Sequence, residues 1–175
     1  ACVQAGAEVV LVSGDVALPV PLGVRRVAAA SAQAMRTAVV DALPGADVFI
    51  GVAAVADYRP ASYAAHKIKK SDEEMSIALV PNPDILAEVA ARADAPFCVG
   101  FAAESRNLDD YAETKRRRKK LPLLVGNLVS DGMGGDENSV VLFDDEGRHP
   151  LPRAGKAVVA RGIVNHLAAM LAARR

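Results

Sequence analysis

The stretch FCVGFAAESRNLDDYAETKRRRKKLPLLVGNLV, residues 97–129, decides the fold. FCVGFAAE (97–104) is an apolar run of strand length, NLDDYAETKRRRKK (107–120) has a helical pattern, and LPLLVGNLV (121–129) returns to a strand. Strand, helix and strand in that order require a crossover connection and predict a parallel pair.

The same alternation extends outward. NPDILAEVAARAD (82–94) predicts a helix with Asn82 as N-cap, Pro83 in the first helical position and Asp84 in the first turn, followed by apolar Ile85, Leu86, Val89 and Ala90. Before it, DVFIGVAA (47–54) reads as a buried strand, and SAQAMRTAVVDALPG (31–45) as a helix capped by Ser31 and stopped at Pro44-Gly45. AEVVLVS (7–13) and VRRVAA from Val24 read as two further strands. After residue 129, SVVLFDDEGRHPLP (139–152) predicts a hairpin around Glu146-Gly147, and Arg153 to Leu171 a closing amphipathic helix. The fold class is therefore α/β: a Rossmann-like parallel sheet flanked by helices, with a small C-terminal hairpin and one domain over residues 1–175. ACVQAGA (1–7) reads as the last turns of a helix whose preceding strand and phosphate-binding loop would open such a sheet, so the domain is expected to be N-terminally incomplete.

Composition narrows the function classes. With 175 residues and 51% apolar content the chain can bury a proper core. Its 21 basic and 21 acidic residues leave no net field to hold nucleic acid or an anionic membrane, and no apolar run reaches bilayer-spanning length. A cytoplasmic protein is expected. Cys2 and Cys98 are isolated, and Cys98 in PFCVGF (96–101) reads as a buried hydrophobe. His66, His149 and His166 are scattered without metal-ligand spacing, so no protein-held transition metal is expected. Neither GxGxxG nor GxxxxGK[ST] occurs.

Ligands of open α/β sheets bind beyond the carboxyl ends of the strands, so residues following each apolar run carry the functional signal. In GVAAVADYRPASYAAHKIKK (51–70), small residues would let a ligand approach the backbone. Asp57 is placed either to hold a ribose or cation or to cap the turn before Pro60, and Lys67 and Lys69 share one side of an extended basic segment that reads either as a flap over a ligand or as a solvated charge run. Val80-Pro81-Asn82-Pro83 runs into a helix start whose free N–H groups suit an anion or a base edge. Phe101 in GFAAES is shaped to stack a base or to fill the core. Lys115 and Lys119, four apart on one helix, project from one face and can straddle a di- or triphosphate, or simply complement the helix dipole.

In combination, AAVADYRP (53–60), KIKK (67–70), NPDIL (82–86), GFAAES (100–105), YAETKRRRKKL (111–121) and GGDENSVVLF (134–143) closely resemble phosphopantothenate-cysteine ligase, the phosphopantothenoylcysteine synthetase of coenzyme A biosynthesis. The resemblance implies activation of 4′-phosphopantothenate by CTP to an acyl-cytidylate. Amide formation with L-cysteine then gives CMP and pyrophosphate, with Mg²⁺ carried on the triphosphate. It assigns nucleotide contacts to Gly51, Val52 and Ala53, to Asp57 on the ribose side, to Val80, Pro81, Asn82 and Pro83, to the neighbourhood of Phe101, and to Lys115 and Lys119 on the phosphates. Lys67 takes the catalytic role of holding phosphate charge during activation. It further implies a homodimer and, in many bacteria, fusion behind a flavin-dependent decarboxylase. Two departures stand out: the family's ISNxSSGxMG-type loop is absent, and GNLVSD replaces the usual AND-type sequence, leaving Asn127 as its equivalent.

Three rival readings remain. A short-chain NAD(P)-dependent oxidoreductase would use YxxxK, found at Tyr63–Lys67 and Tyr111–Lys115, although the first pair is not convincingly helical and Ser105 lies only six residues before Tyr111. A nucleic-acid module would exploit KRRRKK but would need exposed aromatics, and only 4% of the residues are aromatic. A non-catalytic nucleotide-binding fragment is the third.

Overall fold

The computed structural model describes residues 1–70, 74–132 and 135–174. Its centre is a five-stranded sheet of β3 (Val48–Gly51), β6 (Phe97–Glu104), β7 (Leu123–Leu128), β8 (Glu137–Asp144) and β9 (Gly147–Gly155), in that spatial order. β3, β6 and β7 are parallel, whereas β8 and β9 run antiparallel to their neighbours. The segment that decides the fold thus forms β6, then α3 (Leu108–Arg118), then β7, as predicted.

Alternating side chains give the sheet two apolar faces. From β6 and β7, Cys98, Ala102 and Leu124 meet Val39 of α1 (Ala32–Ala42) and its C-cap Leu43, Ile85 and Val89 of α2 (Ile85–Ala90), and Ala112 of α3. On the other face Phe97, Val99, Leu123, Val125 and Leu142 meet Val159, Ile163 and Leu167, spaced four apart on α5 (Lys156–Ala172), the helix that follows the single turn of α4 (Val129–Gly132). Leu123, Leu124 and Leu142 are completely buried, and each contributes about 1.5–3 kcal/mol relative to an exposed side chain. Gly100 and Gly126 allow close packing: a Cβ on Gly100 would lie 2.7 Å from Leu121 Cδ1 and 3.0 Å from Leu86 Cδ2, and one on Gly126 would lie 3.0 Å from Leu108 Cδ1.

β1 (Val9–Ser13) and β2 (Val24–Ala28) pair in parallel as a separate two-stranded sheet, and Val12 and Met35 pack onto the first core face. Ser31 caps α1 by accepting the Ala34 N–H at 3.1 Å. An arm not expected from the sequence is formed by β4 (Tyr58–Pro60) and β5 (Leu79–Pro81), which pair antiparallel and enclose the KIKK segment. Two boundaries also differ from expectation. The strand from Asp47 ends at Gly51 instead of reaching Ala54. Arg153 to Gly155 continue β9, where Glu137 pairs with Gly155, so the closing helix begins at Lys156. The terminal hairpin turns where expected but is no appendage, since β8 pairs with β7 within the central sheet. Part of the glycine-rich loop at Gly132, Gly134 and Gly135 lies outside the described residues. No helix among those described is long and apolar enough to cross a membrane.

Candidate functional site

The predicted contacts gather mainly around the C-terminal ends of β3 and β6 and the helices that follow. Gly51 pairs with Gly100 across these strands, and the chain then leaves the sheet, exposing Val52 and Ala53. Four hydrogen bonds draw the β4–β5 arm and the start of α2 against this exit. The Asn82 N–H donates to Asp57 O at 2.7 Å, Asn82 Nδ2 donates to Ala56 O at 2.9 Å, and Arg59 donates to Pro81 O at 2.6 Å and to Asn82 Oδ1 at 3.2 Å. Val80 and Pro81 belong to β5, and Pro83 follows Asn82 before the helix. Asp57 therefore contributes its backbone carbonyl to this lattice while its side chain lies in an exposed position.

The predicted cap is corrected by this arrangement. Asn82 is committed to the arm, and Asp84 is the N-cap of α2, its Oδ1 accepting the Ala87 N–H at 3.1 Å. Pro83 consequently lies outside the helix instead of opening it. With an acidic side chain on the helix start, its N–H groups are not the free anion cradle that the sequence suggested.

α3 supplies the cations. Lys115 and Lys119, one turn apart, reach toward different anchors: Lys115 Nζ donates to Phe101 O at 2.8 Å, and Lys119 Nζ lies 2.7 Å from Asp84 Oδ2. Burial, followed by the neighbouring Lys119 charge, pushes the Lys115 ammonium below its ordinary pKa. Burial raises the Asp84 carboxyl, but the Lys119 hydrogen bond and the Ala87 N–H outweigh it, leaving the group below its ordinary value. The pair is thus tied to the middle of β6 on one side and to the start of α2 on the other. Beside it, Glu104, Tyr111, Thr114, Lys115 and Arg118 line an open depression. Phe101 presents its carbonyl to Lys115 while its partly buried ring packs with the α5-side cluster.

Two predicted residues stand apart. Lys67 is exposed on the loop between β4 and β5 and makes no side-chain hydrogen bond or ion pair among the described residues. Asn127 lies near the end of β7, pairs with Ala103, and donates from Nδ2 to Leu128 O at 2.8 Å. Tyr111 and Lys115 share α3, but the ammonium is held by Phe101 O, whereas Tyr63 and Lys67 are not helical. Arg59 and Asp84 emerge as organisers that sequence reasoning missed or read only as local structure. The signal for Asp84 was its place immediately after Asn82-Pro83, but its ion pair spans 35 residues.

Cys98 is buried as expected, and burial pushes its thiol pKa upward. Two of the three histidines meet in space although they are apart in sequence, for His149 and His166 converge on the buried Asp144.

Comparison with known proteins agrees with this architecture. Residues 1–171 match the family described as the DNA/pantothenate metabolism flavoprotein C-terminal domain. The chain is 44% identical over 177 residues to the coenzyme A biosynthesis bifunctional protein CoaBC of Vibrio vulnificus, covering 98% of this chain and 44% of that protein. The CoaBC protein of Escherichia coli is 43% identical over 174 residues, covering 95% of this chain and 43% of its own length. The chain thus spans less than half the length of these relatives. A crystal structure of the C-terminal domain of a CoaBC protein superposes with a TM-score of 0.81 at 37% identity, covering 97% of this chain and 78% of that one. A flavoprotein of the same description from Streptococcus pneumoniae shares the fold, with a TM-score of 0.79 at 19% identity, covering 96% of this chain and 83% of that one. Sequence and architecture agree along nearly the whole chain, which belongs to the DNA/pantothenate metabolism flavoprotein C-terminal domain family.

Proposed function

We propose that this chain is the phosphopantothenate-cysteine ligase unit of a coenzyme A biosynthesis protein and that CTP drives its reaction. A carboxylate is a poor electrophile. The carboxylate of 4′-phosphopantothenate attacks the α-phosphorus, pyrophosphate leaves, and the amine of L-cysteine opens the acyl-cytidylate with loss of CMP. The observation that carries this reading is the Lys115 and Lys119 pair, half-buried one turn apart at the C-terminal end of α3 and anchored to Phe101 O of β6 and to Asp84 at the start of α2. Two fixed ammonium groups beside a depression suit a triphosphate, and preorganised charge is what phosphoryl and nucleotidyl transfer require.

The remaining assignments follow the same frame. Gly51, Val52 and Ala53 offer backbone to the nucleotide, Asp57 serves the ribose side, Val80 to Pro83 border the base, and Lys67 supplies charge when its loop meets the phosphates. Mg²⁺ would neutralise the triphosphate and its leaving group. Asp84 is occupied by Lys119 and Ala87, which favours a metal carried on the nucleotide over one held by this carboxylate. We assign the chain to a cytoplasmic homodimer. The exposed Tyr58, Tyr63, Ile68, Met75 and Ile77 on and around the β4–β5 arm offer apolar surface for the partner. The bifunctional relatives support fusion to a flavin-dependent phosphopantothenoylcysteine decarboxylase.

The test is to incubate the full-length protein carrying this chain with 4′-phosphopantothenate, L-cysteine, Mg²⁺ and either CTP or ATP. Pyrophosphate and CMP in equal amounts with the amide product are expected with CTP. Release of neither pyrophosphate nor nucleoside monophosphate from either nucleotide would overturn the ligase reading.

A further inference from the structure

We propose a zinc-type transition-metal site formed by Asp144, His149 and His166, where β8, β9 and α5 meet. β8 runs antiparallel to β7, and its Phe143 pairs with Leu124 near the start of that strand. Asp144 at the end of β8 therefore lies away from the C-terminal end of β7, where Asn127 sits.

Three elements deliver the three residues: Asp144 ends β8, His149 lies on β9 and His166 on α5. His166 Nε2 is 2.7 Å from Asp144 Oδ2, and His149 Nε2 is 3.0 Å from Asp144 Oδ1. The three ligand atoms all lie within 4.8 Å of one another, with the two rings 4.7 Å apart between centroids. A tetrahedral zinc ion with bonds of about 2.0–2.2 Å needs its ligand atoms about 3.3–3.6 Å apart, so each imidazole would move off the carboxylate by about 0.3–0.9 Å to admit the ion between them.

The surroundings favour a ligand role. The Asp144 side chain is only 3% exposed, while His149 and His166 retain 33% and 23%, leaving a solvent side for water as the fourth ligand. Asp144 Oδ1 also accepts the N–H groups of Glu146 and Gly147 at 2.9 and 3.1 Å. These bonds fix the carboxylate with Oδ1 toward His149 and Oδ2 toward His166, the orienting role that outer hydrogen bonds play around metal ligands. The same nitrogen of both imidazoles converges on one carboxylate, a donor set of two nitrogens and one oxygen that suits zinc and neighbouring late first-row ions. Magnesium, which prefers six oxygen ligands, is a poor match. On metal binding each Nε2 lone pair turns to the ion, and the ring proton moves to Nδ1 or leaves to solvent.

The experiment strips the full chain with EDTA, removes the chelator, and titrates it with ZnCl₂ by calorimetry, with MgCl₂ as control and Co²⁺ absorption as a second readout. Wild type should take up one zinc per chain that magnesium does not displace, and Co²⁺ should give the visible bands of a tetrahedral nitrogen- and oxygen-liganded ion. His149→Gln and His166→Gln keep an N–H able to donate to Asp144, so their metal-free thermal unfolding should stay close to wild type while zinc affinity falls at least tenfold. Absence of saturable zinc binding by the folded wild type would overturn the proposal and leave the three residues as a hydrogen-bonded clamp. Undiminished binding in both variants would also overturn it. If either variant fails to fold, the other and the wild-type Co²⁺ spectrum decide.

Discussion

Lys119 Nζ stands 2.7 Å from Asp84 Oδ2, joining the C-terminal end of α3 to the N-cap of α2. One carboxylate thereby performs two tasks, capping a helix through the Ala87 N–H and holding a site lysine in place. The two tasks separate by substitution. Asp84→Asn keeps a capping oxygen and should lose little stability, while Asp84→Ala should cost about 1 kcal/mol through the cap and lower Tm by about 2–4 °C. Both variants should weaken CTP binding several-fold through a freed Lys119, as titration calorimetry would read. Unchanged CTP affinity in both would show that the ion pair does not organise the site.

Lys115 gives the site a pH signature. Its ammonium is held below the ordinary lysine value of 10.5 by burial and by Lys119. Between its folded pKa and 10.5 the unfolded chain binds more protons than the folded one, so this residue makes stability rise with pH across that window. A bound triphosphate favours the charged form, so nucleotide binding should take up a proton there and weaken as pH rises. Calorimetry between pH 8 and 10 in two buffers of different ionisation enthalpy checks the uptake. Lys115→Arg, which stays charged, should lose this pH dependence. The same profile in the variant would assign the proton to another group.

Close packing at Gly100 couples the core to the site. Gly100→Ala brings a Cβ to 2.7 Å from Leu121 Cδ1 and 3.0 Å from Leu86 Cδ2, and should destabilise the fold by about 1–3 kcal/mol. Urea unfolding measures the loss. Because Leu86 belongs to α2, which carries Asp84 at its start, the expected displacement should also weaken nucleotide binding. Wild-type stability would mean that the two leucines repack freely.

Removing Asn82 should loosen the arm. Asn82→Ala deletes the bonds to Ala56 O and from Arg59, each worth about 0.5–1.5 kcal/mol net. Hydrogen exchange at residues 58–60 and 79–81 should speed up, with central amides such as those of Leu124 and Val125 unaffected. Uniform acceleration would indicate global destabilisation instead.

How much of this was legible beforehand depended on how local the cause was. β6, α3 and β7 could be read because apolar runs and helical patterning follow one another without interruption over 97–128. The β4–β5 arm could not, since its strands are three residues long, end in Pro60 and Pro81, and carry no buried alternating face. Asn82 was misread because either Asn82 or Asp84 can cap a helix, and the choice was settled by Ala56, Asp57 and Arg59, more than twenty residues upstream. The lysine pair was visible as an i, i+4 spacing, but its anchors were not. The meeting of His149 and His166 on Asp144 depends on the register of β8 with β9 and on how α5 crosses them, and neither is written in spacing.

Lys67 offers the most direct test of the ligase account, because it is exposed on the β4–β5 loop and its loss should leave the fold intact. The measurement is pyrophosphate release from CTP by the full-length protein, wild type against Lys67→Gln, with 4′-phosphopantothenate, L-cysteine and Mg²⁺ present and circular dichroism confirming the fold. A loss of at least about 100-fold is expected, the scale of removing a preorganised charge from a transferring group, with the melting temperature unchanged. A folded Lys67→Gln protein that releases pyrophosphate at a near-normal rate would contradict it.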